Sequence, residues 1–258
     1  MLTALQKEQF DELGYVVIED ILPKDTFSTL LHSAELMGFD QPHRSSWNER
    51  SCFRRRTFSH LLDAPLLNCI ARQLIGEDVQ LLQLDLLRTR PAENVLEWHR
   101  DVNFICNKTL AISCAIYLQE TTLQGGPLCV VPNSHRWEQG PPTSQFPLPD
   151  EVRIPVAAAA AVIHDSGLWH TATLNRSPVD CWGIFPIFGK FWIKRRDVDC
   201  LQPLPSDLLQ TRDPLKQQLL GSKLRPGVRP YLGDGEEYNL RGDAGIDFVT
   251  PATDVAAP

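Results

Sequence analysis

The chain is predicted to be mainly β with flanking helices, built as a double-sheet jelly roll. Three observations predict this. Apolar residues at helical spacing occur before Gly76 and again only near Asp213–Leu220. From Val79 onward, short runs rich in β-branched and aromatic residues dominate. Gly and Pro turns separate those runs, as in two-sheet β architectures.

Taken in order, Thr3 can cap a first helix that runs through Leu13, and Gly14 stops it. Tyr15–Glu19 reads as a strand. Pro23–Met37 is a second helix, with Phe27, Leu30, Leu31 and Ala34 on one face. Ala64–Ile75 is a third, ended by Gly76. Strands are then expected at Val79–Arg88, Leu110–Leu118, Leu128–Val131, Ile154–His164, Thr171–Leu174 and Cys181–Ile187, with a further one including Phe191–Ile193. The alanines at 157–161 read as small residues where a strand passes close to the opposite sheet. Arg136–Pro149 is Pro-rich and reads, with the residues around Asn94, as loops rimming the mouth of the barrel. At 258 residues a single large core suffices. The expected organisation is a domain over 1–200 and a C-terminal extension over 201–258, packed on that domain or trailing from it. Gly, Pro and charge dominate the extension, and its last residues are expected to be disordered.

Composition excludes several classes. No run of 18 apolar residues exists, so no membrane span is expected, and no secretory signal is visible at the N-terminus. Seven Cys, an odd number without a C-x-x-C pair, read as reduced thiols in a reducing, cytoplasmic setting. A net charge of −7 gives no reason to expect nucleic acid. The basic runs at 54–56 and 194–196 read as solvated surface charge.

The chemistry is carried by His99 and Asp101 in LEWHRDVNF and by His170 in GLWHTATLNRS. Two imidazoles and one carboxylate are the facial ligand set of non-haem Fe(II) oxygenases, which leaves three positions open. In an extended segment, residues i and i+2 point to the same side, so His-x-Asp presents two ligands together and a neighbouring strand can bring the third. With 7 His and 32 acidic residues, His-x-acid alone also arises by chance. Trp98 and Trp169 precede ligand histidines and should face away from the metal. His164 reads as a surface histidine, with a supporting position beside the ligands as its other reading. His135 reads as part of a turn.

Four stretches in order resemble the phytanoyl-CoA dioxygenase-like family of Fe(II)/2-oxoglutarate-dependent oxygenases. They are LTALQKEQFDELGYVVIEDIL, RQLIGEDVQLLQLDLLRTRPAENVLEWHRD, QGGPLCVVPNSHRWEQG and HDSGLWHTATLNRS. The resemblance runs from about Leu2 to Lys194. It implies a double-stranded β-helix, a cupin-like jelly roll, with His99, Asp101 and His170 holding Fe(II). It also implies 2-oxoglutarate as cosubstrate, with O₂, and a small organic molecule as substrate. Hydroxylation is the default outcome, and desaturation, epimerisation or cyclisation share the same start. A secondary metabolite is the first expectation. Related halogenases lack the carboxylate ligand; Asp101 is kept here.

One departure stands out. Relatives place an Arg about eleven residues after the second histidine to pair with the far carboxylate of 2-oxoglutarate, and here that position is Cys181; the Ser often found two places after the histidine is Ala172. A neutral thiol does not replace a bidentate guanidinium. Either another cation reaches in, with Arg88, Arg90 and Arg176 as candidates, or the cosubstrate site is altered or lost. Tyr117 matches an aromatic that lines the cosubstrate site in relatives, and it also reads as plain core. The alternative function is therefore a metal-binding protein on this fold that has lost 2-oxoglutarate turnover. Substrate-lining residues are expected near Arg44–Arg56, Val102–Cys106 and Phe191–Trp192.

Overall fold

A computed structural model of the chain describes residues 1–47, 56–92, 96–102, 108–143, 147–194, 208 and 210–221, the side chain of residue 56 excepted. The chain opens with α1 (Ala4–Leu13), whose N-terminus is closed reciprocally. The Thr3 hydroxyl accepts from the Gln6 N–H at 3.2 Å, and the Gln6 side chain accepts from the Thr3 N–H at 2.9 Å. Gly14 ends the helix at φ 82°, and a Cβ there would come within 2.4 Å of the His135 ring. Only glycine meets both demands without strain.

The major sheet has six antiparallel strands. They are β1 (Tyr15–Ile18), β2 (Ser46–Trp47), β3 (Val79–Thr89), β4 (Ala111–Tyr117), β7 (Ala161–Asp165) and β9 (Cys181–Lys190), in the order β1-β7-β4-β9-β3-β2. A minor sheet pairs β6 (Val152–Ile154), β5 (Leu128–Val130) and β8 (His170–Ala172) in that order. Helices α2 (Lys24–Asp40) and α3 (Pro65–Ile75) cover the outer face of the major sheet. Leu30, Ala34, Leu67, Ile70 and Ala71 share one core with Leu84, Leu86, Ile112, Ile116 and Ile184. A second, smaller core lies between the sheets, built from Ala115, Tyr117, Leu128, Val130 and Val162. This is the predicted jelly roll with flanking helices.

Strand β3 carries a bulge at Leu82: its register passes from Leu81↔Phe188 to Gln83↔Ile187. The extra residue reverses the alternation. Beyond it Leu84, Leu86 and Arg88 face the helices, while Gln83, Asp85, Leu87 and Thr89 face the space between the sheets.

Some expectations need correcting. Ile154–His164 is two strands in different sheets, β6 and β7. The alanines between them form the turn that crosses over, with Ala159 at φ 66°, its N–H on Tyr117 O and its carbonyl on Ile21 N–H. Phe191–Ile193 is a turn closed by the Ile193 N–H on Lys190 O at 3.0 Å, not a strand. The two-residue β2 is too short to carry a periodicity, whereas sequence reasoning missed the 3-10 helix over Arg56–Asp63 although Phe58, Leu61 and Leu62 stand at helical spacing and are all buried. Near the other end, α4 (Pro214–Leu219) buries Leu219 and Leu220 in the main core. Gln218 donates to the carbonyls of Glu77 and Val79 at 2.6 and 3.0 Å. The rest of 201–258, Asn94, the side chains of the basic run at 54–56, most of the run at 194–196, and Cys52, Cys106 and Cys200 lie outside the described residues.

Candidate metal centre

His99 and His170 face each other across a reciprocal backbone pair. The His99 N–H donates to His170 O at 3.0 Å, and the His170 N–H donates to His99 O at 3.1 Å. Directly opposed residues project to the same side, and the two ring centroids stand 4.2 Å apart. Asp101, two residues after His99, brings its Oδ2 to 3.5 Å from His170 Nε2. One ligand atom from each of the three lies within 4.8 Å of the others.

Each imidazole is pinned by its other nitrogen. His99 Nδ1 meets Glu97 O at 2.8 Å, and His170 Nδ1 meets Leu168 O at 2.9 Å. A carbonyl oxygen only accepts, so both Nδ1 atoms carry the proton and both Nε2 lone pairs are left for a ligand bond. Burial holds His170 well below the ordinary histidine value, against the opposing pull of Asp101. Burial pushes the Asp101 carboxyl up, but His170, His164, a hydrogen bond from Ser113 and His99 outweigh it and leave the group lowered. The Ser113 hydroxyl is itself 2.9 Å from that of Ser166. Two neutral-tautomer imidazoles and a carboxylate held in its charged form suit a divalent first-row metal.

His164, read from sequence as a surface residue, is 2% exposed; it faces inward from β7 with its ring 4.5 Å from that of His170. Its position opposite Ser113 in the β4–β7 ladder puts it on the inner face. Trp98 and Trp169 turn outward, as their parity requires, and pack with Cys129 and Val131. The Pro-x-Ser-His stretch braces both ligand segments at once. The Ser134 hydroxyl accepts from the Trp169 N–H at 2.8 Å, and the Ser134 carbonyl accepts from Arg100 at 3.2 Å. Arg100 also donates to Trp137 O at 2.7 Å. Sequence reasoning missed Ser113, Ser166 and Arg100; the placement of Arg100 between two ligands was the available signal.

The three residues sit in a cavity of about 470 Å³ between the sheets, lined also by Tyr117, Gln83, Asp85, His164, Leu87 and Phe185. Tyr117 is buried on its wall, its hydroxyl accepting from the Leu128 N–H at 3.1 Å. The arginine candidates fare differently. Arg88 sits on the helix side of β3: its guanidinium donates to Gly38 O at 3.2 Å, to Arg44 O at 2.9 Å and to Pro42 O, and it stacks on Trp182. Arg90 shares that direction and donates to Pro42 O at 3.0 Å. Arg176 is exposed in the loop after β8. The parity shared by Arg88 and Arg90 is thus that of the outer face. Ser45 and Ser46 line the cavity, as expected of the Arg44 region, and residues 48–55 and 103–106 lie outside the described residues. Phe191 and Trp192 are not among the lining residues described. Leu148 and Trp137, from the loop expected at the mouth, pack instead on the outer face of the minor sheet.

The family model of phytanoyl-CoA dioxygenase matches residues 10–180. The chain is 26% identical over 206 residues to the dioxygenase andF of Emericella variicolor, covering 73% of this chain and 69% of that one. It is 31% identical over 156 residues to an ectoine dioxygenase of Sphingopyxis alaskensis, covering 52% of this chain and 50% of the relative. The fold superposes with a TM-score of 0.63 on EctD from S. alaskensis with 2-oxoglutarate and 5-hydroxyectoine, at 22% identity, over 83% of this chain and 89% of that one.

Proposed function

Since the chain belongs to the phytanoyl-CoA dioxygenase family and is an Fe(II)/2-oxoglutarate-dependent dioxygenase, we propose that it oxidises a C–H bond of a small organic molecule at one iron held by His99, Asp101 and His170. The observation that carries this reading is the pinning of both imidazoles through Nδ1, which leaves their Nε2 atoms for a ligand bond beside the Asp101 carboxylate in the cavity between the sheets.

When bound, iron with 2-oxoglutarate and O₂ supplies the oxidant. The chain's own residues do the rest. His170 and His164, with a hydrogen bond from Ser113, keep Asp101 charged, Arg100 and Ser134 hold the two ligand segments in register, and Leu87, Phe185 and Ile187 supply apolar cavity wall. Gln83 donates to Asp85 on the same wall, a polar pair suited to orienting a small polar substrate. Hydroxylation is the outcome put forward, on a secondary metabolite, and loss of turnover is the lesser reading. The unit that carries the chemistry is taken as 1–200, with 201–258 as its extension. Its thiols favour a cytoplasmic setting; among the described residues no helix is long and apolar enough to cross a membrane.

The test is metal content and 2-oxoglutarate turnover of the purified chain. One Fe(II) per chain is expected, with turnover abolished in His99→Ala, Asp101→Ala and His170→Ala. Full turnover in Asp101→Ala would sink the assignment.

A further inference from the structure

The cavity has a second end. Ala172 follows His170 by two residues on β8 and pairs with Leu128 on β5, whose N–H donates to the Tyr117 hydroxyl at 3.1 Å. This end therefore lies one strand repeat, about 7 Å, from the His170 position, within reach of a five-carbon 2-oxo acid chelated at the other. Its polar groups are neutral. The Tyr117 hydroxyl accepts from Leu128 and has its own proton to give, and the Cys181 thiol is held 3.3 Å from the Thr121 hydroxyl. Burial pushes the Tyr117 phenol and the Cys181 thiol up, so both stay protonated donors. Among the described residues, Arg88 is the one Lys or Arg contributing to the lining; its two terminal nitrogens donate to backbone carbonyls on the helix side, one of them also 3.8 Å from Asp180, and its buried Nε meets no partner. The described cavity thus fits the metal, and its one lining guanidinium is committed by its terminal donors to the helix side rather than to a dicarboxylate's far end.

We propose that this end receives the tail of a 2-oxo acid through hydrogen bonds from the neutral groups Tyr117 and Thr121-held Cys181, so that the enzyme discriminates 2-oxoglutarate from an uncharged 2-oxo acid much less than a guanidinium anchor would. The inference rests on the oxygenase reading above and adds a cosubstrate specificity to it. The physical reason is one of magnitude. A buried guanidinium–carboxylate pair favours the charged tail by a factor of about a hundred or more. Each hydrogen bond from a neutral donor favours it by a factor of roughly ten, and taking a carboxylate without a counter-ion out of water works against that gain.

The test is an anaerobic titration of the Fe(II)-loaded full chain, following the visible metal-to-ligand charge-transfer band. The probes are 2-oxoglutarate and 2-oxopentanoate, which has the same length and a methyl in place of the far carboxylate. A Kd ratio below about fiftyfold is expected, from one or two such hydrogen bonds less that desolvation. Cys181→Arg should swing the ratio toward 2-oxoglutarate, and an unchanged ratio in that variant, while it still binds Fe(II), counts against the proposal. A wild-type ratio above about fiftyfold overturns the inference and leaves the oxygenase reading standing. A band with neither acid overturns both.

Discussion

Ser113 lines the cavity, and its hydroxyl bonds the Asp101 carboxylate and meets that of Ser166. Ser113→Ala removes a hydrogen bond to Asp101, a proposed metal ligand. It is expected to weaken Fe(II) binding about 10–100-fold, read by competition with a chelator, while the melting temperature changes little. The thiols give a second outcome at this scale. Burial pushes Cys129 up to about 12, with Glu151 adding to the effect, and it raises Cys114 and Cys181 as well. A thiol reacts through its thiolate. Below about pH 9, near the ordinary thiol value, these three should resist alkylation in the native chain, and all seven Cys should react once it is unfolded; mass spectrometry separates the cases. The three metal-ligand candidates were legible because their residue types and two-residue spacing carry the chemistry. The direction of Arg88 was not. Which face of a strand meets the helices depends on a bulge at Leu82, and a run of leucines on both sides hides it.

At the scale of elements, the Pro132–His135 turn acts as a clamp between the two ligand-bearing segments. Ser134→Ala leaves the buried Trp169 N–H without its acceptor. The expected cost is about 1–3 kcal/mol in chemical denaturation, with a larger fractional loss of turnover than of stability because His170 is the next residue. Gly126, in the Gly-Gly-Pro turn before β5, stands at φ 74°, and a Cβ there would lie 2.8 Å from Thr173 O. Gly126→Ala should therefore destabilise by about 1–3 kcal/mol, through left-handed strain and a backbone clash together. Helix limits were readable from Thr3, Gly14 and Gly76. The division of Ile154–His164 between two sheets was not, since five alanines favour neither a turn nor a strand by their own chemistry.

For the whole molecule, a ligand that binds only the folded state adds RT ln(1 + [L]/Kd). Fe(II) with 2-oxoglutarate at a hundredfold excess over Kd should stabilise the chain by about 2.7 kcal/mol. An anaerobic thermal melt should show the rise, a chelator should reverse it, and Asp101→Ala should not show it. The fold class was legible because a polar-and-apolar strand pattern after a helical front leaves few architectures. The cavity was less so. Gln83, Asp85 and Thr89 resemble the solvent face of a strand, and only an enclosed space between sheets turns that polarity inward.

The strand order carries a consequence for how the chain is made. β9 lies between β4 and β3, and β1 lies beside β7, so the first strand out of the ribosome waits for the seventh and the third waits for the ninth. A nascent chain that stops short of Cys181 holds the major sheet in two disconnected pieces, β1-β7-β4 and β3-β2. His99 can meet His170 by then, but the wall that should close over them is still unmade. Iron capture is therefore a late event, reserved for a chain synthesised past Lys190. Fragments ending near residue 175 should bind no metal however long they are given to fold.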